Sequence, residues 1–432
     1  MGPSRSEQLL EVLVTEFGSL MLAEPLAFRR KFRKMASSAF AFYRGSACVF
    51  YADMTSRYAD SSFLNDKTSR VWIHGDLHAE NFGTYMNAEG ILVFNVNDFD
   101  EAYVGPFMWD LKRFAASIAL IGYAKALSDD LIGYLVSGFA NSYLAELRAI
   151  ALGGDDAIGS LTIQTTTGPL HRVLQQARLN TRVDLLKAET VIDNYERRFA
   201  HNDGVFIIDA PVRAMVEEAF LGYLTTLPAH ARKVEHTIKD IVLRKGVGIG
   251  SAGLPSYNLL LEGHTQALEN DVIIYMKQAQ VPAVSRHITD DKVRGYFQHQ
   301  GHRTAESQRA LQAAADQWLG YTELGGVGQV VAEVSPYAAD LDWADVNEPD
   351  ELVAVVRELG RAVARMHSVA DDESSHDLVD FSTEEAIVAE IERDEAGFVT
   401  CLAEFAHVYG AQARTDHQLF VDLFRNGQLP GV

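Results

Sequence analysis

Two short runs of the chain, His74-Gly-Asp-Leu-His-Ala-Glu-Asn81 and Asn97-Asp-Phe-Asp100, carry the residue types that phosphoryl transfer demands. That chemistry needs a carboxylate to orient or deprotonate the attacking group. It also needs oxygen ligands that hold Mg²⁺ against nucleotide phosphates. Asp76 supplies such a carboxylate, and Asn81, five positions on, supplies an amide oxygen from the same loop. Asp98 is the expected second metal ligand, so Asp76, Asn81 and Asp98 make up the predicted catalytic centre, with Asn81 and Asp98 on the metal. Taken singly, an aspartate or asparagine in a loop more often caps a turn or a helix. It is the joint spacing that points to catalysis. His74 and His78 stand four apart, a metal-ligand spacing on a helix, but a loop gives that spacing no common face.

The segments between these residues must position them. Residues 82–86 and 91–96 are β-rich runs joined by Asn87-Ala-Glu-Gly90, which predicts a hairpin returning the chain from Asn81 to Asp98. Val71-Trp-Ile73 predicts a short strand before the loop. Residues 7–35 predict helix, with Leu9, Leu10, Leu13, Phe17 and Leu20 at helical spacing and a basic run at 29–34. From 106 to about 227 the pattern is mostly helical. In the second half, strands are expected at 241–243, 257–261, 272–276 and 329–334, and a long helix at 303–319. A helix opening at Asn347-Glu-Pro runs to about His367. Ser382-Thr-Glu-Glu385 forms a capping box for a last helical region.

The stretch Gly246-Val-Gly-Ile-Gly-Ser-Ala-Gly253 contains G-x-G-x-x-G at Gly248, Gly250 and Gly253, with Ser251 inside it. Alone this pattern is weak. A dinucleotide-binding fold needs a helix directly after the third glycine, whereas here an apolar, strand-like run follows. A glycine turn between two strands fits better, as in kinases, where its N–H groups cover the nucleotide phosphates. Lys277, at the end of the next strand, is then the phosphate-pairing lysine. The gap between Gly253 and Lys277 is long, with 262–271 as an inserted loop. Glu306 on the following helix is the expected acidic partner of Lys277, with Gln308 or Gln312 as alternatives. An ordinary glycine-rich hairpin and a surface lysine would look the same.

His-Gly-Asp-Leu-His with its following Asn, Asn-Asp-Phe-Asp, and Trp109-Asp-Leu111 resemble the aminoglycoside and choline phosphotransferase branch of the kinase superfamily. The run from Phe40-Ala-Phe-Tyr-Arg-Gly45 through Gly105-Pro-Phe-Met-Trp-Asp-Leu-Lys-Arg113 resembles more closely the bacterial family known as domain of unknown function 2252, over nearly the whole chain. The resemblance implies that Asp110 is a buried brace for the catalytic loop. Asp98 matches the first residue of the kinase Asp-Phe-Gly motif, but the third position is Asp100, so that motif's switching is not implied. The glycine turn and Lys277 come after the catalytic loop, the reverse of the kinase order. That implies a circular permutation, and the helix ending Arg361-Ala-Val-Ala-Arg-Met-His367 resembles the one normally just upstream of the loop.

The bulk properties narrow the setting. Of 432 residues, 47% are apolar and 22% charged, with a formal net charge of −21. That charge argues against a general nucleic-acid binder and against an anionic membrane surface. Two distant cysteines, Cys48 and Cys401, support neither a disulfide framework nor a zinc motif. With no secretion-like N-terminal pattern, a cytoplasmic location is expected.

The predicted fold is therefore α+β: a two-lobed, circularly permuted, kinase-like protein with a small antiparallel-sheet lobe inserted in a large helical lobe. A helical catalytic lobe spans 1–231, the β-rich nucleotide lobe 232–345, and a helical return 346–432. The expected activity is transfer from ATP, with Mg²⁺, to a small hydroxyl- or amine-bearing acceptor. Arg44 and Arg113 lie near the site, with structural pairing the commoner role for such residues. Rival readings are nucleotidyl transfer or AMP-forming carboxylate activation on the same fold, and a non-catalytic nucleotide binder. Residues 155–230 are expected to hold much of the acceptor pocket.

Overall fold

Ser4 and Glu7 close a capping box over the first turn of α1 (Arg5–Ala23), and Pro25 opens α2 (Pro25–Met35). The single helix expected over 7–35 is thus two, because a proline tolerates only the first turn of a helix. These features belong to a computed structural model that describes residues 2–153, 161–228, 237–245, 254–371 and 378–432. Gly248, Gly250, Ser251 and Gly253 lie outside the described residues.

After α3 (Ala39–Gly45) and α4 (Ala47–Met54) come β1 (Val71–Ile73), the hairpin of β2 (Phe82–Met86) and β3 (Leu92–Val96), and β4 (Tyr103–Gly105). β1 pairs with β4, so the two chemical runs are bounded by one antiparallel ribbon. The expected hairpin forms, with Phe82 opposite Val96. α5 (Phe107–Ala124) and α6 (Asp129–Ala151) follow. Their buried faces join α1–α4 in one large core that also takes in α12 (Pro349–Ser368), α13 (Thr383–Ile391) and α14 (Glu395–Arg425). Ser382 accepts from the Glu385 N–H at 3.2 Å and caps α13. Glu348, rather than Asn347, is the residue before α12. Asn347 instead accepts from Lys125 at 2.8 Å.

Between these helical parts lie β5 (Leu161–Thr162), α7 (Gly168–Ala177), α8 (Arg182–Glu189), the hairpin β6 (Thr190–Asp193) and β7 (Glu196–Phe199), β8 (Val205–Ile207) and α9 (Ala210–Thr226). Next come β9 (Ile238–Arg244), β10 (Ser256–Leu261), β11 (Val272–Gln278), α10 (Asp291–Tyr296), α11 (Gln300–Leu311), β12 (Gly320–Leu324) and β13 (Val327–Glu333). Six strands form one antiparallel sheet in the order β12-β13-β11-β10-β9-β8. The strand following Gly253 begins at Ser256, so no helix opens there.

This sheet is covered on both faces, which is why β11 reads as an unbroken apolar run. Val272, Ile274 and Met276 face α9, together with Leu259 and Leu261. Ile273 and Leu260 point the other way, as strand alternation requires. Lys277 follows Met276 and so leaves the α9 face for the side of Tyr275, toward the helical body. α9, which lies before the expected boundary at 231/232, packs in the sheet's core.

The helix expected over 303–319 stops at Leu311. Ala314 takes a left-handed φ of 48°. Asp316 accepts from the Trp318 N–H at 3.1 Å and from the Glu333 N–H at 3.1 Å. Tertiary bonds here override an alanine-rich local preference. Among the described residues no helix is long and apolar enough to cross a membrane.

Candidate functional site

The loop after β1 is held almost entirely through its backbone. Asp110, fully buried in the first turn of α5, accepts from His74 N–H at 2.6 Å and Gly75 N–H at 3.0 Å. Its Oδ2 also lies 3.3 Å from His367 Nε2, and His367 Nδ1 lies 2.9 Å from the Tyr143 hydroxyl. A carboxylate acceptor calls for the proton on Nε2, leaving Nδ1 to accept from Tyr143. Asp110 is thus the brace that the family resemblance implied, and α12 reaches it through His367. The Tyr51 hydroxyl donates to Gly75 O. Gly75 has φ 76°, and a Cβ there would stand 2.0 Å from Glu101 O, so only glycine fits this crossing.

Asp76 is aimed by Arg113, whose Nε and Nη2 both converge on Oδ1, the former at 2.6 Å. Oδ2 is left facing His78 Nε2 at 3.8 Å and the recess beyond. Burial raises the Asp76 pKa, against the pull of Arg113. Burial also lowers that of His78 well below the ordinary histidine range, with Arg113 adding to it, so His78 is neutral at neutral pH. Asn81 donates its side-chain N–H to Asp76 O at 2.9 Å, which leaves Oδ1 available as a ligand.

The second run is tied to the first at two points. Asn97 N–H donates to Asn81 O at 3.1 Å, and His74 Nε2 lies 2.8 Å from Asn97 O. Asp98 then takes a left-handed φ of 60°, a conformation that aspartate tolerates better than most residues. Its carboxyl is buried; burial and the neighbouring Asp100 both raise its pKa. Two carboxylates this close call for a cation, and Asp98 with the Asn81 oxygen gives the hard oxygen donors that Mg²⁺ prefers. These donor types suit that ion. Among the described residues, no group of three or more His, Cys, Asp or Glu is placed to hold a metal. His74 and His78 are engaged as above.

Lys277 crosses to the same place but pairs with Asp100 Oδ2, not directly with Asp98. Burial opposes its charge; Asp100 and Asp98 outweigh burial and hold its pKa above the ordinary lysine range. The expected partner, Glu306, is elsewhere: it binds Arg309 at 2.6 Å. The reason is helical phase. Two residues along α11 is about 200° of rotation, so Gln308 faces the cleft while Glu306 turns away. Gln308 donates to Gln312 at 3.0 Å, and Gln312 donates to Val96 O at 3.0 Å. Both glutamines line a cleft of about 250 Å³ with Asp98, Asp100, Lys277, Tyr275 and Glu333. The segment after β13 closes one side of it, with the Thr84 N–H donating to Ala339 O at 2.8 Å.

Sequence reasoning missed Arg303. Fully buried on α11, it donates to Ala102 O at 2.9 Å and Gln280 O at 2.8 Å, clamping the Asp98–Ala102 turn. It also missed Glu101, which burial and the nearby Asp76 raise to about 8, against the N–H that Ala283 donates to it at 2.6 Å. Arg44 pairs with Glu80 at 2.7 Å on the rim. None of the described residues between 161 and 228 lines the cleft or the recess beside Asp76. Those residues pack on β3, α12 and the sheet instead.

Residues 24–423 match the family described as "Uncharacterized protein conserved in bacteria (DUF2252)", and the chain belongs to that family. No curated protein and no solved structure matches it.

Proposed function

We propose that this chain is a Mg²⁺-ATP-dependent phosphotransferase for a small hydroxyl- or amine-bearing acceptor, built on a circularly permuted kinase-like fold. The observation that carries the reading is the meeting of Lys277 with Asp100 beside Asp98. These residues come from separate elements, some 177 positions apart for the bonded pair, and one nucleotide between them accounts for both. Support for the permutation comes from β9 and β10, antiparallel neighbours flanking the glycine stretch. It comes also from α12, which lies against β1 and touches the loop's brace.

In this reading Asp76 Oδ2 accepts the proton of the acceptor group as that group attacks the terminal phosphorus of ATP. The new bond to phosphorus forms as the bond to the β,γ-bridging oxygen breaks, and ADP leaves. A raised pKa suits Asp76 to take that proton. Asn81 and Asp98 would hold Mg²⁺, which supplies charge neutralisation on the phosphates. Lys277 would shift from Asp100 toward those phosphates, and Asp100 keeps it charged meanwhile.

Melting experiments test the cofactor. Ligand at about 100 times its Kd should stabilise by roughly 2.7 kcal/mol, with ATP and Mg²⁺ well above ATP and chelator. No shift with any nucleotide at millimolar concentration would defeat the assignment. Mass spectrometry after incubation with a metabolite pool separates the rivals: ADP marks phosphoryl transfer, AMP with pyrophosphate marks attack at the α-phosphate, and binding without turnover marks a non-catalytic protein.

A further inference from the structure

The phosphotransferase reading leaves Lys31 without a role. The apolar stripe of α2 runs Phe28, Phe32, Met35, and Lys31 takes the remaining place on that buried face. It is 5% exposed. Its Nζ lies 4.2 Å from the Phe17 ring centre and 5.7 Å from that of Phe28. Among the described residues it has no hydrogen bond and no ion pair. Burying an ammonium without a partner is costly, and two aromatic faces offset only part of that cost. Burial accordingly lowers its pKa from the ordinary lysine value.

Lys31 lines the recess that also holds Asp76, Asp98 and Glu101. That recess shares Glu16, Cys48 and Ala283 with a half-open chamber of about 550 Å³ lined by α1, α4 and residues 283–287. The recess carboxylates are already matched: Asp76 by Arg113, Asp100 by Lys277, Glu16 by Arg286 at 2.8 Å, and Glu101 by the Ala283 N–H. Asp98 is assigned to the metal, and Arg44 is held by Glu80. Among the described residues of the recess one buried cation is left over, Lys31, while Lys277 lines the separate cleft that Asp98 also borders.

We infer that the recess and chamber form the acceptor subsite, and that Lys31 binds an oxyanion of the acceptor, a carboxylate or phosphate, beside the group that Asp76 orients. The role given to Asp76 rests on the phosphotransferase reading; the unpaired lysine and the chamber do not. The acceptor would enter past α1 and α4 and meet ATP across Asp76.

Calorimetric titration of orthophosphate, and of glycerate as a hydroxyl-bearing carboxylate, tests this. The proteins are the parent, Lys31→Met and Lys31→Gln, each with and without Mg²⁺ and a non-hydrolysable ATP analogue. One of the anions should bind the parent, with affinity reduced by about tenfold or more in both variants and affinity for the analogue unchanged. Tighter orthophosphate points to a phosphate-bearing acceptor, tighter glycerate to a carboxylate-bearing one. No anion binding by the parent, or equal binding by parent and variants, overturns the inference. A parallel loss of analogue affinity also overturns it, because Lys31 would then face the transferred phosphoryl group. A parent that binds the anion through Lys31 but never the analogue would defeat only the phosphotransferase reading. Should the variants not fold, reductive methylation of the parent decides, read by peptide mass spectrometry. The bound anion must protect Lys31, and equal labelling with and without it overturns the inference.

Discussion

Lys277 and Lys31 line two different pockets that both include Asp98 and Asp100, and they sit in opposite electrostatic states. Lys277 ends on Asp100, and two carboxylates hold its charge in place. Lys31 ends on an aromatic face with no carboxylate within ion-pairing distance among the described residues, and burial works against its charge. A sheet strand delivers the first and a helix stripe the second. A paired buried cation is preorganised, and a ligand must compete for it. An unpaired one is destabilised until an anion arrives. In the proposed reading the two lysines serve two different ligands, nucleotide at Lys277 and acceptor at Lys31.

The largest expected effects test that division directly. Asp76→Asn should cut turnover by about 10²-fold or more, the scale of a lost general base, while Mg-ATP binding stays close to that of the parent. Asp98→Ala should lose metal-dependent nucleotide binding as well, because it is the proposed metal ligand. Single-turnover kinetics and nucleotide calorimetry read both. If Asp98→Ala bound Mg-ATP like the parent, the two ligands would not divide as described.

Lys277→Met comes next. Removing one partner of a fully buried pair costs about 3–5 kcal/mol. Side-chain exposures of 23% for Lys277 and 14% for Asp100 bring the expected loss down to roughly 2 kcal/mol. The folded pKa of Lys277 lies above its unfolded value, so its contribution is fully present below the unfolded value and is lost only as pH climbs through the folded one. Chemical denaturation between about pH 7 and 9 should therefore show a constant deficit. A deficit that vanished within that range would mean that Lys277 is not held by Asp100.

How much of this was legible in the sequence differs between the two lysines. Lys277 could be found because a strand of apolar residues ends beside it and a known motif order suggests its role. Asp76, Asn81, Asp98 and the hairpin are local in sequence, so their lying together was equally readable. The partner of Lys277 was not, since helical phase on α11 depends on a start at Gln300 that no cap signal marks better than its neighbours. Lys31 was hidden inside the basic run Arg29, Arg30, Lys31, Arg33, Lys34, of which it alone is buried. A signal did exist: Phe28, Phe32 and Met35 lie at helical spacing, and Lys31 falls on their stripe. The chamber beside it gave none, because Gln8, Glu11 and Thr15 on α1 read as a solvated helix face, and Glu11 and Thr15 do stay exposed at its rim. Strands such as β6, with Val191 and Ile192 exposed, lack the alternation that would have shown them.

The smallest effect has the opposite sign and closes the comparison. Methionine can follow the Lys31 side chain across Phe17 without its charge, so Lys31→Met should stabilise the chain at pH 7 by about 1 kcal/mol, the burial penalty less the cation–π attraction. The sign of the pH dependence follows from the lowered pKa. Where pH lies between the lowered folded value and the ordinary one, the unfolded chain binds the proton more readily, so parental stability rises with pH there. The advantage of Lys31→Met should therefore be largest near neutrality and shrink as pH approaches about 10, the ordinary lysine value. An anion seated on Lys31 should offset it at neutral pH, since a ligand that binds the folded parent adds RT ln(1 + [L]/Kd) to its stability and much less to that of a variant with about tenfold or more weaker affinity. Guanidinium or urea curves at two pH values, with and without orthophosphate, measure all three quantities. A Lys31→Met variant less stable than the parent at pH 7 in the absence of anion would mean that the lysine already has its partner, and the two lysines would then be alike.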